Sequence, residues 1–150
     1  MELILWRHAE AEDGFPDSGR KLTAKGEKQA AAMAAWLKSR LPDGYRVVAS
    51  PARRTQQTAQ ALTADFATLK EIAVGASAEA LLGAIGWPNA KGAVVVVGHQ
   101  PTLGEVAAYV LADSKDSWSI KKGAVWWLSN RNRHDEYQKT LKLVISPDLL

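Results

Sequence analysis

Two kinds of apolar pattern alternate along this chain. Leu3-Ile4-Leu5-Trp6 and Ala93-Val94-Val95-Val96-Val97 are short continuous apolar runs, and Tyr45 to Ala49 is a third, centred on Val47 and Val48. Runs of this length predict strands buried on both faces. Between them the apolar positions recur at helical spacing. Ala30, Met33, Ala34, Leu37 and Leu41 define one face of a helix from Ala24 to about Arg40, with Thr23 as its N-cap. Ser50-Pro51 predicts an N-cap with proline at the first helical position, opening a helix to about Phe66. Ser77 caps a shorter helix carrying Leu81, Leu82 and Ile85, and Leu103, Val106, Ala107, Val110 and Leu111 mark a helix from Pro101 to about Leu111. Breaks fall at Asp13–Lys21, Pro42–Gly44, Gly75 and Pro88–Gly92, where Gly, Pro, Asp and Asn gather.

From Ser117 the pattern changes. Gly123 to Ser129 and Glu136 to Ile145 predict two strands joined by the polar loop Asn130–Asp135. The order is therefore β-α-β-α-α-β-α followed by a hairpin, with no internal repeat, low-complexity stretch or linker. Such alternation predicts an α/β fold in three layers, a mostly parallel sheet with helices on both faces and the C-terminal antiparallel hairpin at an edge. At 150 residues the chain reads as a single domain, 1–150, long enough to bury a core.

Both of the clearest strands end in chemistry. Leu3–Trp6 stops at Arg7-His8, and Ala93–Val97 stops at Gly98-His99-Gln100. Two of the three histidines thus follow a buried strand directly. In an α/β sheet the ligand crevice lies just past the carboxyl ends of the strands. If the strands ending at Trp6, Ala49 and Val97 are parallel neighbours, those ends bring together Arg7-His8, Ser50 to Arg54, and His99. Helical geometry separates the adjacent arginines. Arg54 shares a stripe with Thr58, Ala61, Leu62 and Phe66 above the buried face, whereas Arg53 shares one with Gln57, Gln60 and Ala64 and reads as surface.

Two arginines, two imidazoles and a helix N-terminus make a pocket for a tetrahedral dianion, since guanidinium forks match phosphate oxygens and exposed N–H groups favour an anion. With no metal-ligand cluster and no GxxxxGK[ST] run, the sequence points to phosphoryl transfer onto an imidazole rather than to nucleotide and magnesium. A nucleophilic histidine must be neutral, and adjacent cations depress imidazole pKa.

Composition narrows the class further. The chain has no cysteine, which removes disulfides and thiolate chemistry, and its net charge of +3 is spread rather than striped. Neither a nucleic-acid stripe nor a membrane-spanning run is present, and the first apolar run is too short for a signal peptide. A cytoplasmic protein is the expectation.

Arg7-His8-Ala9-Glu10-Ala11, Ser50-Pro51-Ala52-Arg53-Arg54-Thr55-Gln56-Gln57-Thr58 and Gly98-His99-Gln100-Pro101 together resemble the signatures of the histidine phosphatase (phosphoglycerate mutase-like) superfamily. The short length, the Arg-His-Ala-Glu-Ala run and Arg20-Lys21-Leu22-Thr23 are most similar to its small SixA-type phosphohistidine phosphatases, and the likeness extends from Leu3 to the closing hairpin. The resemblance implies that His8 becomes phosphorylated, that Arg7, Arg54 and His99 hold the phosphoryl oxygens, and that Arg20 and Gln100 lie at the substrate. It implies hydrolysis of a phosphohistidine on a signalling or phosphotransfer protein, with release of phosphate and without metal or other cofactor. Larger members carry a glutamate that protonates an ester leaving group. Here Asp65, Glu71 and Glu79 are the acids between Thr58 and Gly98, with Glu10 and Glu12 near His8 in sequence, and none stands out. A phosphoramidate needs less acid help, because its imidazole can already carry a proton. The alternatives are a phosphatase for a small phosphoester and a non-catalytic phosphate- or phosphoprotein-binding module.

The remaining candidates read as structure. His134 falls in the hairpin loop as solvated surface; Trp6, Trp36 and Trp87 belong to apolar patterns; and Trp126-Trp127 lie on opposite faces of a strand, so that one of them is expected to face away from the core.

Overall fold

The computed structural model describes residues 1–150. The strands are β1 (Glu2–Arg7), β2 (Arg46–Ala49), β3 (Ala67–Thr68), β4 (Ala93–Gly98), β5 (Val125–Arg133) and β6 (Glu136–Ile145); the helices are α1 (Ala24–Lys38), α2 (Arg53–Leu62), α3 (Ala78–Ile85) and α4 (Thr102–Ala112). They build one six-stranded sheet in the order β3-β2-β4-β1-β5-β6. β4 lies between β2 and β1 and is parallel to both, while β5 and β6 add antiparallel pairing on the β1 side.

Alternation along the central strands explains the three layers. Leu3, Leu5, Val94 and Val96 pack on one face with Leu81, Ile85, Leu103 and Val106 of α3 and α4. Ile4, Trp6, Val95 and Val97 pack on the other with Met33, Leu37, Ala59 and Leu62 of α1 and α2. Every residue of β4 is buried, which is why the valine run shows no polar alternation. No helix is long and apolar enough to cross a membrane.

Helix caps follow local chemistry where they can. Thr23 Oγ1 accepts from the Gly26 N–H at 2.9 Å, and Ser77 Oγ accepts from the Ala80 N–H at 3.1 Å, as their sequence positions predict. α2 departs from expectation: it begins at Arg53 with Ala52 at the N-cap position, and ends at Leu62 rather than Phe66. Ser50 lies two residues ahead of that N-cap position, where its hydroxyl accepts from the Ala52 N–H at 3.2 Å and also contacts His99 Nε2 at 2.7 Å. Phe66 instead leads into β3, a two-residue strand that carries no periodicity signal of its own.

Two further differences lie at the C-terminal hairpin. β5 runs through the expected loop to Arg133, leaving a two-residue turn at His134 (φ 53°) and Asp135 (φ 63°). Two left-handed residues match the twist of a tight hairpin, which lets polar side chains remain in strand. Both Trp126 and Trp127 also pack inward, because the sheet has a core on each face. Trp127 joins the α1/α2 side, and Trp126 packs against the α3/α4 side beside Trp118, with ring centroids 6.0 Å apart.

Candidate active site

The carboxyl ends of β1, β4 and β2 are laced together by backbone hydrogen bonds. Arg7 is level with Gly98, the His8 N–H donates to the Gly98 carbonyl at 3.1 Å, and the Ser50 N–H donates to the Val97 carbonyl at 3.1 Å. His99 thus leaves the sheet between His8 and Ser50. The convergence expected from three parallel neighbours is present.

His8 is 6% exposed, and its Nδ1 lies 2.7 Å from the Ala9 carbonyl oxygen. A carbonyl only accepts, so Nδ1 carries the proton and Nε2 keeps a free lone pair. Burial pushes the imidazole down to about 3, helped by the positive surroundings of His99, Arg54 and Arg7 and opposed by the Ala9 hydrogen bond. At neutral pH the ring is an uncharged base. His99 is 3% exposed, with its ring centroid 5.4 Å from that of His8. It is lowered to about 4, by burial first and then by Arg54. Its Nε2 lies 2.7 Å from Ser50 Oγ.

The two arginines are positioned from opposite sides. Arg7 Nη1 donates to the Ile120 carbonyl at 2.8 Å, so the segment before β5 aims the guanidinium at the end of β1. Arg54 sits in the first turn of α2, 4% exposed, and donates through Nη1 to the Asp17 carbonyl at 2.9 Å and through Nη2 to the Asp17 carboxylate at 3.1 Å. Asp17 also accepts from Arg20 Nη1 at 3.0 Å, while Arg20 Nε donates to the Glu12 carbonyl at 2.7 Å. Arg20 therefore joins the cluster through Asp17, which bridges it to Arg54. The guanidinium partners hold the Asp17 carboxyl below its usual range, Arg20 first and Arg54 next, so this carboxylate has no proton to give.

Arg7 Nε, Arg54 Nε and His99 Nδ1 are buried and have no hydrogen-bond partner in the protein. Leaving buried polar groups unpaired is costly, so such atoms call for an explanation. Three of the four such atoms in the protein belong to this cluster, the fourth being Trp127 Nε1 in the α1/α2 core, and guanidinium N–H groups are donors suited to an oxyanion.

The other sequence candidates are placed elsewhere. Gln100 is held at both ends of its amide: Nε2 donates to the Trp118 carbonyl at 2.8 Å and Oε1 accepts from the Gly104 N–H at 2.8 Å. These two bonds tie its amide to the start of α4 and to the Trp118 backbone. Arg53 is exposed and lines, with Phe15, Arg20 and Lys21, an open concavity of about 270 Å³ beside the cluster. His134 is exposed on the hairpin, and Glu79 lines a separate groove with Trp87 and Tyr109. No group of three or more His, Asp or Glu side chains gathers that could hold a metal ion.

Three positions that contact the cluster escape sequence reasoning. Ser50 carried a helix-cap signal that concealed its contact with His99. Asp17 lay among loop-forming residues, and Ile120 acts through its carbonyl, so neither side-chain type nor spacing marks it.

Comparison with known proteins places this geometry in a family. Residues 3–81 match the histidine phosphatase superfamily (branch 1). A protein of uncharacterised function from Picosynechococcus sp. is 33% identical over 138 residues, covering 83% of this chain and 82% of its own. Among solved structures, a SixA from Nakamurella multipartitia, provisionally assigned as a phosphohistidine phosphatase, is 28% identical and superposes with a TM-score of 0.78 over 97% of this chain and 95% of that one. The protein histidine phosphatase SixA complexed with tungstate shares the fold, with a TM-score of 0.80 at 23% identity over 99% of each chain. The chain belongs to the histidine phosphatase superfamily, and its fold is that of the SixA structures.

Proposed function

We propose that the protein hydrolyses phosphohistidine on a partner protein through a phosphorylated His8. The observation that carries this reading is the pairing of an uncharged His8, its Nε2 free, with the unpartnered donors of Arg7, Arg54 and His99.

The steps follow from those groups. The phosphoryl oxygens lie against the two guanidinium groups and the neutral His99; the guanidinium charges and the N–H bonds of all three stabilise the transferring group. The Nε2 lone pair of His8 attacks phosphorus as the phosphorus–nitrogen bond of the substrate breaks, its electron pair passing to the departing ring nitrogen. If that ring already carries a proton on its other nitrogen, it leaves as neutral imidazole and needs no acid. His8 then bears phosphate on Nε2 and a proton on Nδ1, and the positive charge it acquires strengthens the bond to the Ala9 carbonyl. Water attacks this intermediate, His8 departs neutral, and both hydrogens of the water leave with the phosphate. Arg20 supports Asp17 and through it Arg54.

Substrate choice follows from the leaving group. The carboxylate in contact with the arginine cluster is Asp17, and it is held ionised. An alkyl phosphoester would require a proton that this carboxylate does not carry; a protonated phosphoimidazole does not. A phosphorylated signalling or phosphotransfer domain is the partner of that chemistry.

Phosphate release from a phosphohistidine protein and from phosphoramidate, with wild type and His8→Ala in parallel, tests the reading. Turnover by wild type alone, with an acid-labile phosphoenzyme, is expected. Activity on phosphoesters without activity on phosphoramidate would transfer the assignment to a small-molecule phosphatase. Phosphate binding with no turnover on either would leave a binding module.

A further inference from the structure

The least expected contact in the site is the one from Ser50 to His99. Ser50 is fully buried, and its Oγ has two neighbours, the Ala52 N–H at 3.2 Å and His99 Nε2 at 2.7 Å. The Ala52 N–H can only donate, so it takes one lone pair of the hydroxyl. What remains is the hydroxyl proton, and the acceptor within reach of it is His99 Nε2.

Two proton arrangements satisfy that short distance, and hydrogen-bond accounting separates them. If Nε2 carried the ring proton and donated to Oγ, the buried hydroxyl proton would have no acceptor and Nδ1 would present a bare lone pair. That is two unsatisfied groups, and the second would face a phosphoryl oxygen with like charge. If the hydroxyl donates to Nε2, every partner is used and a single N–H is left over, on Nδ1. This is the buried His99 atom that lacks a protein partner. His99 is uncharged at neutral pH, so its tautomer decides whether the pocket gains a donor or an acceptor.

We infer that Ser50 is a positioning residue that fixes the Nδ1–H tautomer of His99, turning that imidazole into an obligatory hydrogen-bond donor for the oxyanion. The inference rests on the reading of this pocket as a phosphoryl site. It adds a division of labour between two rings that both carry their proton on Nδ1. In His8 that proton is committed to Ala9 and frees Nε2 as a nucleophile. In His99 Nε2 is committed to Ser50 and Nδ1–H is the working atom.

Imidazole nitrogen NMR on the full-length protein tests this directly, because it reports which ring nitrogen carries hydrogen. In wild type, His99 is expected as the Nδ1–H form at neutral pH, with that proton signal shifting when inorganic phosphate is added. In Ser50→Ala, which removes one oxygen, His99 is expected to move toward the Nε2–H form, with kcat lower by on the order of tenfold; losing an oxyanion donor outright costs about 100-fold or more. Wild-type His99 protonated on Nε2 would overturn the inference without need of any variant. So would a Ser50→Ala protein with an unchanged tautomer and unchanged kcat. A wild-type spectrum in which phosphate perturbs neither His8 nor His99 would instead remove the phosphoryl site on which the inference stands.

Discussion

The rings of His8 and His99 stand 5.4 Å apart with planes inclined by 56°, each tied at one nitrogen and free at the other. Backbone fixes the first and a buried hydroxyl fixes the second. Neither tie uses a carboxylate. Both rings therefore stay uncharged beside two arginines, the state that a nucleophile and a neutral donor require.

Keeping both rings neutral has a cost that depends on pH. His8 is lowered to about 3 and His99 to about 4, against 6.5 for an unperturbed imidazole. Between those values the unfolded chain takes up protons that the folded one refuses. Stability is thus undiminished above about pH 6.5 and falls as pH drops toward 3–4, by on the order of a few kcal/mol. Chemical denaturation between pH 4 and 7 checks this, and His8→Ala is expected to flatten the slope.

Arg54 lowers both imidazoles and is the buried arginine of the first turn of α2. Arg54→Ala is expected to raise both histidine titrations and to reduce turnover by about 100-fold or more. Arg54→Lys restores the charge but not the planar fork, so titrations recover further than kcat does. NMR titration alongside kinetics separates the two effects.

Asp17 puts a negative charge 3.1 Å from Arg54 Nη2, on a side chain 55% exposed. Asp17→Asn is expected to tighten inorganic phosphate binding several-fold, since it removes a competing anion, while thermal stability barely moves because exposed pairs contribute about 0–1 kcal/mol. Weaker phosphate binding in calorimetry would show instead that Asp17 holds Arg54 in place.

Gly104 allows the Trp118 backbone to cross α4. A Cβ there would lie 1.9 Å from the Trp118 carbonyl oxygen, so the crossing segment must move in Gly104→Ala. That segment continues to Ile120, whose carbonyl orients Arg7. The substitution is expected to destabilise the fold by more than about 2 kcal/mol. It should also lower kcat in whatever fraction remains folded, as thermal denaturation and active-site-normalised kinetics would show.

Sequence by itself determined the layers and the address of the site. A short continuous run of β-branched valines favours a strand buried on both faces, as β4 is. Helices with one apolar stripe must cover it, and charged residues placed directly after such strands gather at one end of the sheet. The gathering of His8, His99, Arg7 and Arg54 at one end of the sheet was legible because each is tied to a periodic element by one or two residues. Tertiary structure decided the rest, for a physical reason: a hydrogen bond has no sequence period. That Ser50 meets an imidazole as well as the Ala52 N–H depends on folding bringing His99 within 2.7 Å. Gln100 follows His99 in the motif yet is consumed by Trp118 and Gly104. Both tryptophans of β5 turn inward because cores form on both sides of the sheet. Asp17 reaches Arg54 across 37 positions of chain, a separation at which side-chain type carries no information about contact.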